Sequence, residues 1–166
     1  MVRLAIMISG LGTNMVRLAK VIEDFKLEAE IKLVISNKNC AGIDSAKALK
    51  LKTATIARDE FQSRTDHEKV VSELIEEHKI DWIFLAGYDA ILGPSFVNRY
   101  VGKLINIHPS LLPHFKGLDT HKRALESAEV IHGVTVHLVN NELDSGAIIA
   151  QAKIKIKKDD DEFTLK

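Results

Sequence analysis

The 166-residue chain has a single cysteine, Cys40, which excludes a disulfide framework and fits a reduced compartment. No Cys/His cluster has zinc-finger spacing, and nothing in the residues implies a metal. Proline occurs three times, and no internal repeat or low-complexity linker interrupts the chain. A surplus of charge is missing too. Lys plus Arg and Asp plus Glu both total 23, so the basic excess expected of a bulk nucleic-acid binder is absent. The apolar run within residues 1–10 is too short to cross a bilayer and lacks the cleavage flank of a signal peptide. The expectation is a cytoplasmic protein with no nucleic-acid partner and no membrane partner.

What is present is the make-up of an ordinary folded domain, 46% hydrophobic and 28% charged. At this length about two-thirds of the unfolded surface is buried on folding, and residues 1–166 read as one domain. Apolar runs alternate with turns and amphipathic stretches. Strands are expected at residues 4–8, 31–35, 53–57, 82–86, 104–108, 134–139 and 148–156. Helical spacing follows at Met15, Leu18, Val21, Ile22 and Phe25, then around Ile43, Ala46 and Leu49. It returns at Val70, Val71, Leu74 and Ile75, and over residues 119–128. This alternation predicts an α/β fold, a mostly parallel sheet with helices on both faces. The last two strands have no helix between them, so an antiparallel strand is expected near the C-terminus. Ligands of such sheets sit beyond the carboxyl ends of the strands.

Three strand-end loops carry candidate chemistry. Gly10-Leu11-Gly12-Thr13-Asn14 joins the first strand to the first helix. It is either a tight turn capped by Thr or Asn, or an anion site at a helix N-terminus. Met15 stands where a dinucleotide fingerprint needs its third glycine, and no Gly-Lys of a P-loop follows. The second loop is sharper. In Asn106-Ile107-His108-Pro109-Ser110-Leu111-Leu112-Pro113, Asn106 and His108 share one strand face roughly 6.5–7 Å apart. They are either polar groups satisfied by neighbouring carbonyls or a catalytic pair at the ligand edge. In the third loop, Asn140-Asn141-Glu142-Leu143-Asp144-Ser145-Gly146, Asp144 either caps a turn or meets His108 and favours the imidazolium. Four more histidines, His114, His121, His132 and His137, match no metal spacing and read as surface or packing residues. Arg64, in a polar run, reads as a solvated arginine, and residues 153–162 as a solvated strand end and an acidic turn.

Taken in order, these segments, with Ser36-Asn37-Lys38 and Leu85-Ala86-Gly87-Tyr88, resemble the phosphoribosylglycinamide formyltransferases. That group is a branch of the folate-dependent 10-formyltetrahydrofolate transferase family. The Asn-x-His-Pro-Ser-Leu-Leu-Pro stretch with the later Asp marks the wider family, and Gly-x-Gly-Thr-Asn narrows it to this branch. The resemblance implies a Rossmann-like three-layer sandwich. It also implies transfer of a formyl group from 10-formyltetrahydrofolate, as co-substrate, to the glycine amine of phosphoribosylglycinamide in purine synthesis, without a metal. By the same resemblance Gly12, Thr13 and Asn14 hold the substrate phosphate. Asn106 and His108 stabilise the oxyanion, and Asp144 keeps His108 protonated. Folate lies along Arg64, Tyr88, Asp89, Ala90, Ile91, Leu92, Asn106, Val139, Asn140, Asn141 and Asp144.

Some positions depart from that pattern. Asp89-Ala90 stands where many members have an apolar or thioether residue and then Arg, so an adverse charge near the folate tail is expected. Asp119 replaces a usual His. Relatives continue past Phe163-Thr164-Leu165-Lys166 through a further helix and tail, so an exposed apolar face is expected here, with a monomer or a homodimer as the assembly. Two other functions are compatible with the residues: hydrolysis of 10-formyltetrahydrofolate by water, or an inactive folate- or nucleotide-binding domain left by truncation.

Overall fold

The computed structural model describes residues 1–127 and 129–165. They pack as two compact units, Met1–Leu104 and Ile105–Lys166. In the first unit four strands, β1 (Val2–Ile8), β2 (Ala29–Ser36), β3 (Thr53–Thr55) and β4 (Trp82–Leu85), lie in the order β3-β2-β1-β4, all parallel. Parallel neighbours need crossover connections, which α1 (Thr13–Asp24), α2 (Ala41–Ala48) and α3 (Arg64–Glu77) supply. A fourth helix, α4 (Pro94–Arg99), follows β4.

Side chains alternate across each strand, and here both faces are apolar. Ile6, Ile8, Ile31 and Val34 pack with Met15 of α1 and with Ile43 and Ala46 of α2. Ala5, Met7, Leu33 and Ile35 point the other way and are equally buried. That is why these strands read as continuous hydrophobic runs. α3 starts at a serine N-cap: Ser63 Oγ accepts from Asp66 N at 3.1 Å and donates to the Asp66 carboxylate at 2.6 Å. β1 has β2 on one side and β4 on the other, so the chain order reverses at its carboxyl end, where such sheets take ligands.

The second unit carries β5 (Leu104–His108), α5 (Thr120–Glu126), β6 (Ile131–Leu138), β7 (Ile148–Lys155) and α6 (Glu162–Leu165), its strands in the order β5-β6-β7. Both pairings are antiparallel. Thr135 ties the loop after β5 to this sheet. Its hydroxyl accepts from Leu112 N at 3.0 Å and Gln151 Nε2 at 2.9 Å, and donates to the Ser110 carbonyl at 2.7 Å. That uses the full capacity of one hydroxyl.

The expected α/β class, parallel first and antiparallel near the C-terminus, is the one observed. Boundaries differ in places. The helix expected over 119–128 is α5, with Asp119 as its N-cap in the left-handed region, and Ala128 lies outside the described residues. β6 begins three residues before the expected strand, β7 ends one residue before it, and Glu162 opens a short helix rather than closing a turn. Along β7, Ile148, Ile149 and Ile154 are about half exposed. Among the described residues no helix is long and apolar enough to cross a membrane.

Candidate active site

The antiparallel register of β5 and β6 sets Asn106 opposite His137 and His108 opposite Thr135. His108 and Asp144 are both buried. His108 Nδ1 lies 3.4 Å from Asp144 Oδ2, and His108 Nε2 bonds the Phe115 carbonyl at 3.0 Å. Both neighbours are acceptors, and the ring lies between them. Asp144 itself has φ 47°, a turn conformation that aims its carboxylate inward. The Gly117 N–H, at 2.9 Å, donates to the oxygen that faces His108. The two readings of Asp144 are not exclusive in geometry, because the turn is what brings the carboxylate to His108.

His137, read from the sequence as a surface or packing residue, is buried beside this pair. Its Nδ1 bonds the Leu138 carbonyl at 2.8 Å, and a carbonyl can only accept, so that nitrogen carries the hydrogen. Nε2 is then free to accept from Asn106 Nδ2 at 3.2 Å. Asp144 Oδ1 lies 3.7 Å from the same Nε2. Asn106 makes no other side-chain hydrogen bond among the described residues, which leaves its second N–H and its carbonyl for a ligand. Phe115, Gly117 and His137 are the parts of this site that sequence reading missed. Two act through backbone groups that no side-chain motif reports, and the third is placed by cross-strand register.

The remaining candidates in the second unit flank Asp144. Val139 is half-buried, while Asn140 and Asn141 are exposed. Asn140 closes an Asx turn onto Glu142 N at 3.0 Å.

Gly12, Thr13, Asn14, Arg64 and residues 88–92 belong to the first unit. Gly12, at φ 73°, is the N-cap of α1 and offers no side-chain acceptor. No acidic residue occupies the first turn, so that turn presents N–H donors with the exposed Thr13 and Asn14 beside them. The loop can take this path because two glycines meet. A Cβ on Gly12 would come within 2.9 Å of Gly42 Cα, and one on Gly42 within 2.7 Å of the Gly10 carbonyl.

Beyond β4, Asp89 is exposed but not alone. Lys38 Nζ lies 2.5 Å from its Oδ2 and Asn37 Nδ2 3.0 Å from its Oδ1, while Asp89 N donates to Ser9 Oγ at 3.0 Å. Burial works against the Asp89 charge, but the hydrogen bonds from Lys38 and Asn37 outweigh it and hold the carboxyl below its usual range. The adverse charge expected at this position is thus answered within the unit. Tyr88 is largely enclosed, and burial pushes its hydroxyl up. Ile91 is exposed, whereas Ala90 and Leu92 are half-buried. Arg64 is the first residue of α3 rather than part of a preceding polar run. Its Nε lies 3.9 Å from the buried Glu68, whose carboxylate accepts from Gly93 N at 2.6 Å. Among the described residues no group of three His, Cys, Asp or Glu side chains is arranged to hold a metal ion.

Residues 2–166 match the formyl transferase family. The chain belongs to this family. It is 41% identical over 161 residues to a phosphoribosylglycinamide formyltransferase of Haemophilus influenzae, covering 96% of this chain and 76% of that one. The Escherichia coli protein of the same name is 38% identical, with the same two coverages. The solved structure of the phosphoribosylglycinamide formyltransferase of Coxiella burnetii superposes with a TM-score of 0.93 at 42% identity, covering 99% of this chain and 77% of that one. The Rossmann-like α/β class expected from the sequence is the class of these neighbours.

Proposed function

We propose that the protein transfers the formyl group of 10-formyltetrahydrofolate to the glycine amine of phosphoribosylglycinamide, a step of purine synthesis. The observation that carries this reading is the His108 ring held between two acceptors, with Asn106 two residues earlier on the same strand face. The family membership and the names of the relatives point to the same reaction.

The chemistry follows from what these groups can donate. The amine lone pair attacks the formyl carbon, a carbon–nitrogen bond forms, and the carbonyl electrons move onto oxygen. The free N–H of Asn106 and the Nε2–H of His108, which the formyl oxygen takes over from the Phe115 carbonyl, stabilise that oxyanion, which is where charge appears only in the transition state. On collapse the carbonyl re-forms and the bond to the folate nitrogen breaks. His108 gives that nitrogen a proton and recovers one from the attacking amine, so the enzyme ends as it began. Asp144 holds the ring in the orientation that permits both steps. No covalent enzyme intermediate is needed, because the amine is the nucleophile.

In the first unit, the α1 N-terminus with Gly12, Thr13 and Asn14 takes the substrate phosphate. The folate-binding candidates of the first unit are Arg64, Tyr88, Asp89, Ala90, Ile91 and Leu92, and those of the second are Val139, Asn140 and Asn141. Consumption of 10-formyltetrahydrofolate, with and without phosphoribosylglycinamide, tests the reading. Turnover that requires the ribonucleotide supports it. Formate release without the ribonucleotide would make the protein a hydrolase instead, and calorimetric binding with no turnover would make it a binding domain.

A further inference from the structure

The loop that meets the His108–Asp144 pair is held in an unusual path. Phe115, Gly117 and Asp119 have φ of 54°, 80° and 55°, and two of these three are not glycine. Such backbone persists only where the surroundings over-determine it. One side chain touches this path at three points. Arg123, on α5, donates from a single Nη1 to the Lys116 carbonyl at 2.7 Å and the Leu118 carbonyl at 3.2 Å, the carbonyls on either side of Gly117. Its guanidinium also lies over the Phe115 ring, 5.5 Å from the centroid. Arg123 N is in turn fixed to the Asp119 carbonyl at 2.9 Å.

The groups held in this way are the ones that touch the pair: the Phe115 carbonyl on His108 Nε2 and the Gly117 N–H on Asp144 Oδ2. We infer that Arg123 is a positioning residue, which sets the His108–Asp144 geometry through the Phe115 carbonyl and the Gly117 N–H. Without it the loop relaxes toward ordinary φ, Gly117 leaves Asp144, and the carboxylate facing His108 loses its fixed donor. Lysine is a poor replacement, because its tetrahedral ammonium has no planar face to lie over Phe115 while it donates to both carbonyls. The catalytic consequence rests on the transferase reading, but the geometric claim does not.

The test compares Arg123→Ala and Arg123→Lys with the unmodified chain by two readouts. Imidazole ¹H–¹⁵N spectra, with His108 assigned by its loss in His108→Asn, report the ring's hydrogen bonds without any substrate. Formyl transfer from 10-formyltetrahydrofolate to phosphoribosylglycinamide gives kcat and KM. In both variants the His108 Nε2 signal is expected to shift to a solvent-exposed value. kcat should fall about tenfold while KM stays within about twofold. Unchanged His108 signals with kcat within twofold would overturn the inference, even if thermal stability fell, since a merely structural arginine would behave that way. Should Arg123→Ala not fold, Arg123→Lys decides by the same signals. Should the unmodified chain transfer no formyl group, the transferase reading fails and the spectra alone decide the role of Arg123.

Discussion

The strand ends of the two units deal with polar groups in opposite ways. In the first unit Thr13 and Asn14 are exposed, and backbone sets the geometry, through a glycine N-cap and the close crossing of Gly12 with Gly42. In the second unit His108, His137 and Asp144 are buried, and each is fixed by another member or by a main-chain group. One is an open platform of donors suited to binding an anion. The other is a closed network in which every group orients the next, the condition for donors aimed at a developing charge. Substitutions should therefore cost stability or affinity in the first unit and turnover in the second.

The largest break in that comparison is expected at His108. His108→Ala and Asp144→Asn should each lower kcat on the order of 10³-fold while the far-ultraviolet circular dichroism stays native. A kcat within tenfold of the unmodified protein would remove both residues from the chemistry. In the first unit the comparable break is Gly42→Ala, which puts a Cβ 2.6 Å from Ile8 Cδ1 and 2.7 Å from the Gly10 carbonyl. The added carbon has no flexible neighbour on the carbonyl side, so a loss of about 2–3 kcal/mol is expected in urea unfolding. A loss below about 0.5 kcal/mol would mean that the loop after β1 and the start of α2 do not cross this closely.

A smaller effect sharpens the account of the closed network. His137→Phe keeps a planar ring, slightly larger than imidazole, but removes the acceptor of the Asn106 amide, and kcat should fall about tenfold. In a double-mutant cycle the combination with Asn106→Ala should cost little more than Asn106→Ala alone, because both changes disable one donor. Simple additivity of the two losses would show that His137 does not act through Asn106.

How much of this was legible beforehand follows the range of the interactions. The two central strands, β1 and β2, were readable because a strand buried on both faces writes a local apolar run, as residues 4–8 and 31–35 do. Asn106 and His108 were readable as a pair because two-residue spacing fixes a shared face. The meeting of Asp144 with His108 was one of two open possibilities in the residues and became an expectation only through family resemblance. His137 was not readable as part of the site, since it needs the β5–β6 register, and neither were the Phe115 carbonyl and the Gly117 N–H, which depend on left-handed backbone. α4 escaped because six residues carry too little periodicity to register. The answer to the Asp89 charge also escaped, because Lys38 reaches it from 51 residues away.

Each unit also encloses a neutral histidine outside the chemistry, and the two respond to acid in a way that measures how closed each unit is. Burial lowers the pKa of His67 on α3, with the Ile56 carbonyl, 2.9 Å from Nε2, pulling the other way. Burial likewise lowers that of His132 on β6, reinforced by His121, with the Pro109 carbonyl opposing from longer range. Among the described residues neither ring nitrogen of His132 makes a hydrogen bond. Both folded values lie below the ordinary 6.5, so between them and pH 6.5 the unfolded chain binds protons that the folded chain does not. Stability therefore rises with pH across that window and is lost as pH falls below about 6.5, by at most about 1.4 kcal/mol per pH unit for each ring. Urea unfolding between pH 5 and 7.5 at fixed ionic strength reads this slope directly. His132→Phe should flatten it more than His67→Gln, because His67 has a close carbonyl that favours its charged form and His132 does not. Equal flattening would show the two units to be equally closed around their histidines, and an unchanged slope in both variants would mean that neither ring is held neutral.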